Sequence, residues 1–275
     1  MLRFGTDGVR GVAFTELTEN YVAELGLVAA QQLGVNKVLV GRDTRESGPR
    51  LEAALAHGLL AGGVDVELLG VAPTPAIAFL AAKRGCASAA ITASHNHFAD
   101  NGVKLFANGG LKLSDAQQDA IESQMTGKSL IVPAQPDSVD LLDEYVAHIV
   151  GLFPALAFAK MKIVLDCAHG AMSTVAPQAF ARLGATVIVM NDEPNGTNIN
   201  DGCGATHPEV VSEAVRLHQA DLGLAFDGDG DRVIAVDHVG DIVDGDHLLA
   251  LAAIDMHKHG KLKSNAVAVT VMTNA

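Results

Sequence analysis

Short apolar runs alternate along the chain with alanine- and leucine-rich segments of helical period, and this alternation restricts the fold more than any other feature. KVLVG (Lys37–Gly41) and ASAAIT (Ala87–Thr92) are typical of buried strands. The segment from Pro49 to Gly62 is typical of a helix, because proline is favoured near a helix start and glycine at its end. The pattern predicts an α/β protein.

The alternation weakens before a helical segment that ends near Pro154, and it restarts at MKIVLD. We therefore predict two consecutive three-layer α/β/α domains with mixed sheets, spanning residues 1–154 and 155–257. The last residues, NAVAVTVMTNA, predict the beginning of another strand. Residues 258–275 are accordingly expected to start a third domain, and the chain is expected to be a fragment of a longer protein.

Composition excludes several classes of protein. The chain has 275 residues, of which 49% are hydrophobic, so it can bury a sizeable core. A formal charge of −13 argues against a nucleic-acid-binding protein, which would need a basic face. The N-terminal segment carries charge and glycine where a signal peptide needs an apolar run, and no apolar run is long enough to span a membrane, so neither feature is expected. Cys86, Cys167 and Cys203 lack CxxC spacing and are expected to be reduced thiols of a cytoplasmic protein.

The most specific chemical motif is FDGDGDR, which holds Asp227, Asp229 and Asp231 at alternate positions between glycines. Glycine lets the backbone turn tightly, so three carboxylates can converge on one point. Crowded carboxylates repel each other unless a cation neutralises them, and such hard oxygen ligands suit Mg²⁺ or Ca²⁺. The loop is not an EF-hand, because Arg232 and His238 stand where that loop needs glycine and glutamate. We predict a metal site between two strands.

A second motif, TASHN, follows the apolar strand that ends at Ile91. Ser94 lies outside a GxSxG elbow, and the neighbouring His95 cannot form a triad with it by local geometry alone. On these five residues, a helix-capping turn and a nucleophile loop are equally good interpretations. Asn101-Gly102, further along, is a typical turn signal.

Two arginine-bearing segments lie near the N-terminus. FGTDGVRG places three glycines around Thr6, Asp7 and Arg10, which is a plausible phosphate cradle although no Walker A motif follows. Arg42 and Arg45 beside a strand end favour a salt-bridge network over a ligand site. A hydroxyl nucleophile, a metal loop and a cationic glycine loop are together the parts that phosphoryl transfer needs.

FGTDGVRG, TASHN and DGDGDR, in this order and spacing, resemble the α-D-phosphohexomutases. The resemblance runs from Phe4 to the end of the chain. FGTDGVRG together with NINDGCGATHPE is most like the branch that interconverts glucosamine 6-phosphate and glucosamine 1-phosphate. The family usually has proline where this chain has His97, so the loop backbone is expected to be less fixed.

The resemblance also implies roles for individual residues. Ser94 would carry the phosphoryl group, and one phosphoryl oxygen would complete the shell of one Mg²⁺ per chain. Glucose or glucosamine 1,6-bisphosphate would be the activator or intermediate, a hexosamine phosphate the substrate, and oligomerisation is left open. The remaining implied residues are the proton-transfer residue Lys104, and His95, Arg10, Thr6, Asn96 and Arg232 around the phosphoryl group, with Asp227, Asp229 and Asp231 on the metal.

Three alternatives stay open at this point. The first is a phosphomannomutase or phosphoglucomutase of the same family, acting on another hexose phosphate. The second is an aspartate-based phosphatase, which usually has threonine or valine at the position of Asp231. The third is a non-catalytic metal-binding domain. Because the substrate-gripping loops of the family lie in later domains, the chain is expected to bind Mg²⁺ and to turn over poorly by itself.

Overall fold

The computed structural model describes residues 2–5, 8–127, 136–270 and 273. Within these residues, helices cover two mixed β-sheets, as the sequence pattern predicts. Thr6 and Asp7 of the glycine-rich segment lie outside the described residues.

The first sheet is built from the N-terminal part of the chain. Its strands run in the order β1-β5-β4-β2-β3-β7, with β6 paired to β5. Strands β4, β2, β3 and β7 are parallel, whereas β1 and β5 are antiparallel to their neighbours. The bounds are β1 Val9–Val12, β2 Lys37–Arg42, β3 Asp65–Val71, β4 Ala87–Ile91, β5 Asp100–Ala107, β6 Leu111–Lys112 and β7 Asp137–Ser138.

Helices cover both faces of this sheet. The strand period of two sends Val38 and Val40 into the larger core beneath the first two helices, while Leu39 faces the core beneath the third. The fourth helix begins with the predicted capping box, in which the Ser114 side chain and Gln117 cap one another's backbone. The bounds are α1 Glu19–Leu33, α2 Gly48–Ala61, α3 Thr74–Arg84, α4 Asp115–Gln124 and α5 Leu142–Gly151.

The second sheet follows the order β12-β11-β10-β8-β9. Its strands β8, β9 and β10 are parallel, and β10 and β11 form the antiparallel pair predicted around the acidic loop. Val164 faces one core, and its neighbours Ile163 and Leu165 face the other. The bounds are β8 Lys162–Asp166, β9 Thr186–Met190, β10 Leu222–Phe226, β11 Val233–Asp237, β12 Ile242–Val243, α6 Met172–Arg182, α7 Pro208–His218 and α8 Gly245–Lys258.

Helix α5 joins the two halves of the molecule. Val146 packs against Val175 and Ala179 of α6, while the aromatic ring of Tyr145 contacts Phe79 of α3. The domain boundaries at residues 154 and 257 stay predictions, because packing across α5 does not mark an edge. None of the helices that the structure describes is long and apolar enough to cross a membrane.

Two local predictions are wrong. Asn101-Gly102 lies inside β5 and forms no turn, because Gly102 is needed where two flanking strands approach: a Cβ there would lie 2.6 Å from the carbonyl oxygen of Thr92. The final strand is not formed over residues 266–270, where no described strand pairs with the backbone. A strand pattern needs a partner to become a strand. Residues 271, 272, 274 and 275 lie outside the described part.

Close packing of α1 on α2 depends on Gly58. A Cβ at this position would lie 1.9 Å from the carbonyl oxygen of Ala23. We expect Gly58→Ala to lower the free energy of unfolding by about 1–3 kcal/mol, because the helices must separate. The matched control is Gly151→Ala at the end of α5, where a Cβ meets open space, and a change within about 0.5 kcal/mol is expected. Urea unfolding of both variants measures the difference, and equal losses would contradict this account of the packing.

Candidate functional site

Ser94 lies in the loop between β4 and β5. This loop is at the edge of the sheet where the carboxyl ends of the parallel strands meet. Its side chain is fully buried, and its backbone φ is 54°, in the left-handed region that non-glycine residues rarely adopt. The Ser94 hydroxyl donates a hydrogen bond to Asp227 Oδ2 at 2.5 Å. This contact joins residues 133 apart in the sequence and brings the two predicted motifs into one site.

The acidic loop lies between β10 and β11. One carboxylate oxygen from each of Asp227, Asp229 and Asp231 lies within 4.8 Å of the other two. The first two residues are buried and the third is exposed. Oδ1 of Asp229 is buried and, among the described residues, has no hydrogen-bond partner. A buried carboxylate oxygen without a donor is the kind of ligand that a hard cation takes, so the residues fit Mg²⁺.

A close approach between the two loops fixes the residue at position 228. A Cβ on Gly228 would lie 2.7 Å from the Ser94 carbonyl oxygen and 2.8 Å from Asn200 Nδ2. Only glycine leaves room for the backbone of the acidic loop to pass so close to the serine loop. Gly228 therefore allows the contact between the two motifs as well as the turn.

The pKa values of the two buried aspartates, Asp227 and Asp229, shift in opposite directions. Burial, followed by the charge of Asp229, raises the pKa of Asp227 to about 7. Burial acts in the same direction on Asp229, but the Lys104 ammonium and a hydrogen bond from Thr74 outweigh it and hold the pKa of Asp229 below its usual range. Below about pH 7 Asp227 therefore holds a proton in the metal-free chain, whereas Asp229 stays charged.

Lys104 projects from β5 into the acidic cluster. Its ammonium lies 2.8 Å from Asp229 Oδ2 and 2.8 Å from Asp231 Oδ2, and its side chain is 4% exposed. Burial acts to lower the pKa of Lys104, but the charges and hydrogen bonds of the two aspartates outweigh it and raise the pKa. Lys104 is therefore held in its protonated form against the predicted metal ligands.

His95 and two arginines, Arg232 and Arg10, border the serine on the exposed side. His95 Nδ1 lies 3.4 Å from the Ser94 hydroxyl and 3.1 Å from Arg232 Nη1. Burial, followed by the charges of Arg232 and Arg10, lowers the pKa of His95. Because a guanidinium can only donate, the Arg232 contact leaves Nδ1 of His95 as the acceptor. Arg10, which lies on β1 opposite Gly102, shares this border.

Not every residue predicted from the sequence points at the serine hydroxyl. The Asn96 side-chain amide donates to Asp100 Oδ2 at 2.9 Å, so its part in phosphate binding stays a prediction. Thr6 lies outside the described residues. Arg42 and Arg45 form the predicted salt bridges, with Glu52 and Asp43 respectively.

Sequence reasoning missed Thr74 at the start of α3. Its hydroxyl donates to Asp229 Oδ2 at 2.6 Å, and its backbone N–H donates to the Asp229 carbonyl oxygen at 2.9 Å. Thr74 therefore holds both the side chain and the backbone of Asp229. Oδ1 of Asp229 is the carboxylate oxygen without a hydrogen-bond partner among the described residues. A Pro-Thr pair at a helix start gives a signal for the helix but none for this contact, since the partner lies 155 residues away.

We expect Thr74→Val to weaken Mg²⁺ binding by about 10-fold, because removing a hydrogen bond that orients a ligand typically costs 10–100-fold in metal affinity. Thr74→Ser is the matched control, since it keeps the hydroxyl and should bind Mg²⁺ as the unaltered chain does. Isothermal titration with MgCl₂ measures both. Equal affinities for the valine and serine variants would show that Thr74 does not orient Asp229.

Comparison with known families decides what this arrangement belongs to. Residues 1–131 match the model of phosphoglucomutase/phosphomannomutase, alpha/beta/alpha domain I, and residues 143–240 match the model of domain II. The chain belongs to the phosphoglucomutase/phosphomannomutase family. The resemblance to phosphohexomutases that the motifs indicate is thus confirmed, together with the mixed α/β fold class.

Individual proteins similar to this chain belong to the same family. A phosphoglucosamine mutase of Desulforudis audaxviator is 48% identical over 284 residues, which cover 98% of this chain and 63% of the relative. A phosphoglucomutase/phosphomannomutase family protein from Burkholderia thailandensis superposes with a TM-score of 0.81 at 28% identity, covering 92% of this chain and 58% of the other. The chain spans less than two thirds of the length of the curated relatives it matches.

A more distant solved structure shows the same fold. It is the Aspergillus fumigatus N-acetylphosphoglucosamine mutase in complex with GlcNAc-6P and magnesium, which has a TM-score of 0.59 and 16% identity. The likeness covers 96% of this chain and 57% of that one. Magnesium and a hexosamine phosphate are thus bound by a protein of this fold.

Proposed function

We propose that this chain carries the phosphoryl-transfer and metal loops of a phosphoglucosamine mutase, which interconverts glucosamine 6-phosphate and glucosamine 1-phosphate. The observation that carries the proposal is the 2.5 Å contact between the Ser94 hydroxyl and Asp227, which unites a buried nucleophile with a three-carboxylate cluster. The identity to phosphoglucosamine mutases, 45–48% over 98% of this chain, favours glucosamine phosphates over other hexose phosphates.

The metal ligands in this proposal are Asp227, Asp229 and Asp231, with an oxygen on Ser94 as the fourth. A resident Mg²⁺ neutralises charge on the phosphoryl oxygens when bound. The free Oδ1 of Asp229 supports this assignment, as does the crowding of three carboxylates within 4.8 Å. The Ser94 hydroxyl reaches the cluster without rearrangement, because its backbone is already turned toward Asp227.

Phosphoryl transfer at Ser94 then proceeds in two balanced halves. A hydroxyl oxygen of the sugar forms a bond to phosphorus while the bond between phosphorus and Ser94 Oγ breaks. Lys104, which carries a proton in this arrangement, gives one to the freed serine oxygen and regains one from the sugar hydroxyl. The resulting 1,6-bisphosphate reorients and returns its other phosphoryl group to Ser94 by the reverse exchange, so that the sugar leaves as the isomeric monophosphate.

The side chains that border Ser94 would bind the phosphoryl oxygens. We assign His95, Arg232 and Arg10 to contacts with the transferring group, because they lie together on the exposed side of Ser94. Thr6 and Asn96 are assigned to the same group on the strength of the resemblance. Hydrogen-bond donors aimed at phosphoryl oxygens are the main source of rate in such transfers, where positioning and charge neutralisation dominate.

The cellular setting is also a proposal. All three cysteines are buried and free, which favours the reducing cytoplasm. The partners proposed are a hexosamine monophosphate substrate and a hexose 1,6-bisphosphate activator, without nucleic acid or membrane.

Intact-mass measurement tests the proposal on this chain, because a half-reaction does not need the substrate-gripping loops. The chain is incubated with MgCl₂ and glucosamine 1,6-bisphosphate, and peptide mapping locates any added phosphate. We expect one phosphoryl group on Ser94 and none on other residues. An unmodified Ser94 in a folded chain would refute the proposal and favour a non-catalytic metal-binding domain.

A further inference from the structure

Arg45 lies between β2 and α2, and its guanidinium sits within the serine loop, residues 92–99 between β4 and β5. Its side chain is completely buried, as is that of Asp43, with which it forms an ion pair at 2.9 Å. The guanidinium also donates to three carbonyl oxygens of the serine loop. These bonds are 2.9 Å to Ser94, 3.0 Å to Asn96 and 2.6 Å to His97. A buried arginine with this many backbone partners does more than neutralise one aspartate.

The loop depends on a cation at this point. The carbonyl oxygens of Ser94, Asn96 and His97 converge on the guanidinium, and their partial negative charges would repel each other without it. An arginine supplies five N–H donors in a planar fork, so one side chain can satisfy several acceptors spread around it. A lysine ammonium carries the same charge at a single atom and cannot span the same set.

Asp43 extends this connection to the nucleophile from the other side. Its Oδ2 accepts from the Thr92 hydroxyl at 2.7 Å, and the Thr92 oxygen in turn accepts from the Ser94 backbone N–H at 2.8 Å. Arg45 therefore determines the position of the Ser94 carbonyl directly and of the Ser94 N–H through two residues. Together these contacts hold a left-handed backbone that would otherwise cost about 1–3 kcal/mol.

His97 is the position where this chain departs from the proline usual in the family. The structure shows that this position contributes its backbone carbonyl to Arg45. Any residue supplies a carbonyl, proline included, so the substitution leaves the contact intact. The expectation of a less fixed loop stays a prediction.

We propose that Arg45 is the positioning residue of the phosphoryl-accepting serine: by gathering three carbonyls of the loop onto one buried guanidinium, it holds the Ser94 hydroxyl against Asp227 before substrate arrives. The proposal rests on the proposed role of Ser94 in phosphoryl transfer. It assigns Arg45 no contact with substrate. Displacement of a reacting group by about 1 Å can cost 100-fold in rate, which is the scale of effect that positioning predicts.

The test compares Arg45→Met, which removes the donors, with Arg45→Lys, which keeps the charge but not the fork. Arg50→Met is the matched control, because Arg50 is 60% exposed and pairs with Glu19 at the surface. Hydrogen exchange of the amides in residues 94–98 and the rate of Ser94 phosphorylation by glucosamine 1,6-bisphosphate are the two readouts. Urea unfolding of each variant separates loss of global stability from loss of loop order.

For Arg45→Met we expect faster exchange confined to the loop and phosphorylation slowed about 100-fold among folded molecules. Arg45→Lys should fall between this variant and the unaltered chain, and Arg50→Met should match the unaltered chain. If Arg45→Met does not fold, Arg45→Lys decides by the same readouts. Exchange that rises throughout the fold, or a lysine or methionine variant that keeps the normal phosphorylation rate, overturns the proposal.

Failure of the proposed function would be distinguishable from failure of this inference. If the unaltered chain acquires no phosphate, the mutase proposal fails. Exchange in residues 94–98 still decides whether Arg45 orders the loop, because that readout needs no substrate. Loop exchange that is unchanged in both Arg45 variants rejects the positioning role whether or not Ser94 is phosphorylated.

Discussion

Replacement of Ser94 by alanine is expected to reduce phosphate incorporation from a hexose 1,6-bisphosphate to background. The Ser94 hydroxyl is the group that contacts Asp227, and alanine leaves no oxygen to form the phosphate ester. The fold should survive, since the loop is held by backbone contacts of residue 94 to Arg45, Thr92 and Asn200 rather than by its hydroxyl. Intact mass after incubation measures the result.

Ser88→Ala is the matched control for this experiment. Ser88 is fully buried on β4, the strand that leads into the serine loop, and its hydroxyl has no hydrogen-bond partner among the described residues. The control should acquire phosphate as the unaltered chain does. Phosphate on the Ser94→Ala variant would point to another acceptor, such as Asp227 in an aspartate-based phosphatase, and would contradict the account.

Asp227→Asn is expected to weaken Mg²⁺ binding by more than about 100-fold, because it removes a charged ligand from the centre of the cluster. The metal-free fold should not suffer. Burial raises the pKa of Asp227 to about 7, so the folded state binds a proton that the unfolded state releases. Stability of the metal-free chain therefore falls as pH rises from about 4 to about 7, and the asparagine variant should lose this slope.

Two measurements check the Asp227 prediction. Calorimetric titration with MgCl₂ gives the affinity, and urea unfolding at pH 5 and pH 8 without metal gives the slope. Asp201→Asn, at an exposed aspartate between β9 and α7, is the control and should retain both the affinity and the slope. Undiminished Mg²⁺ affinity in Asp227→Asn would exclude this carboxylate from the site.

How far the sequence could predict the site depends on whether each contact is local. The acidic turn between two strands follows from the glycine and aspartate spacing, and the structure confirms β10 and β11 on either side of it. Asn101-Gly102 follows the same local rule and misleads, because Gly102 is required by the nearby carbonyl oxygen of Thr92, just past the end of β4. Tertiary packing decides such positions, and local propensity does not report it.

Contacts between distant segments can be predicted from the sequence only in part. The charge pair of Arg45 with Asp43 was predictable from two neighbouring residues, whereas its bonds to the serine loop were not, since backbone carbonyls leave no signature in a sequence. The contact of Ser94 with Asp227 followed from family resemblance rather than from either motif. Thr74 was missed for the same reason, because nothing near it in the chain indicates Asp229.

The central claim is that Ser94 and the three aspartates form one site, and the Mg²⁺ affinity of the chain before and after phosphorylation of Ser94 tests it most directly. Phosphoserine carries a charge of roughly −1.5 to −2, and beside buried Asp227 and Asp229 that charge is tolerable only with a cation bound. The account predicts tighter Mg²⁺ binding by the phosphorylated chain in parallel calorimetric titrations. Equal affinities for the two forms would contradict it.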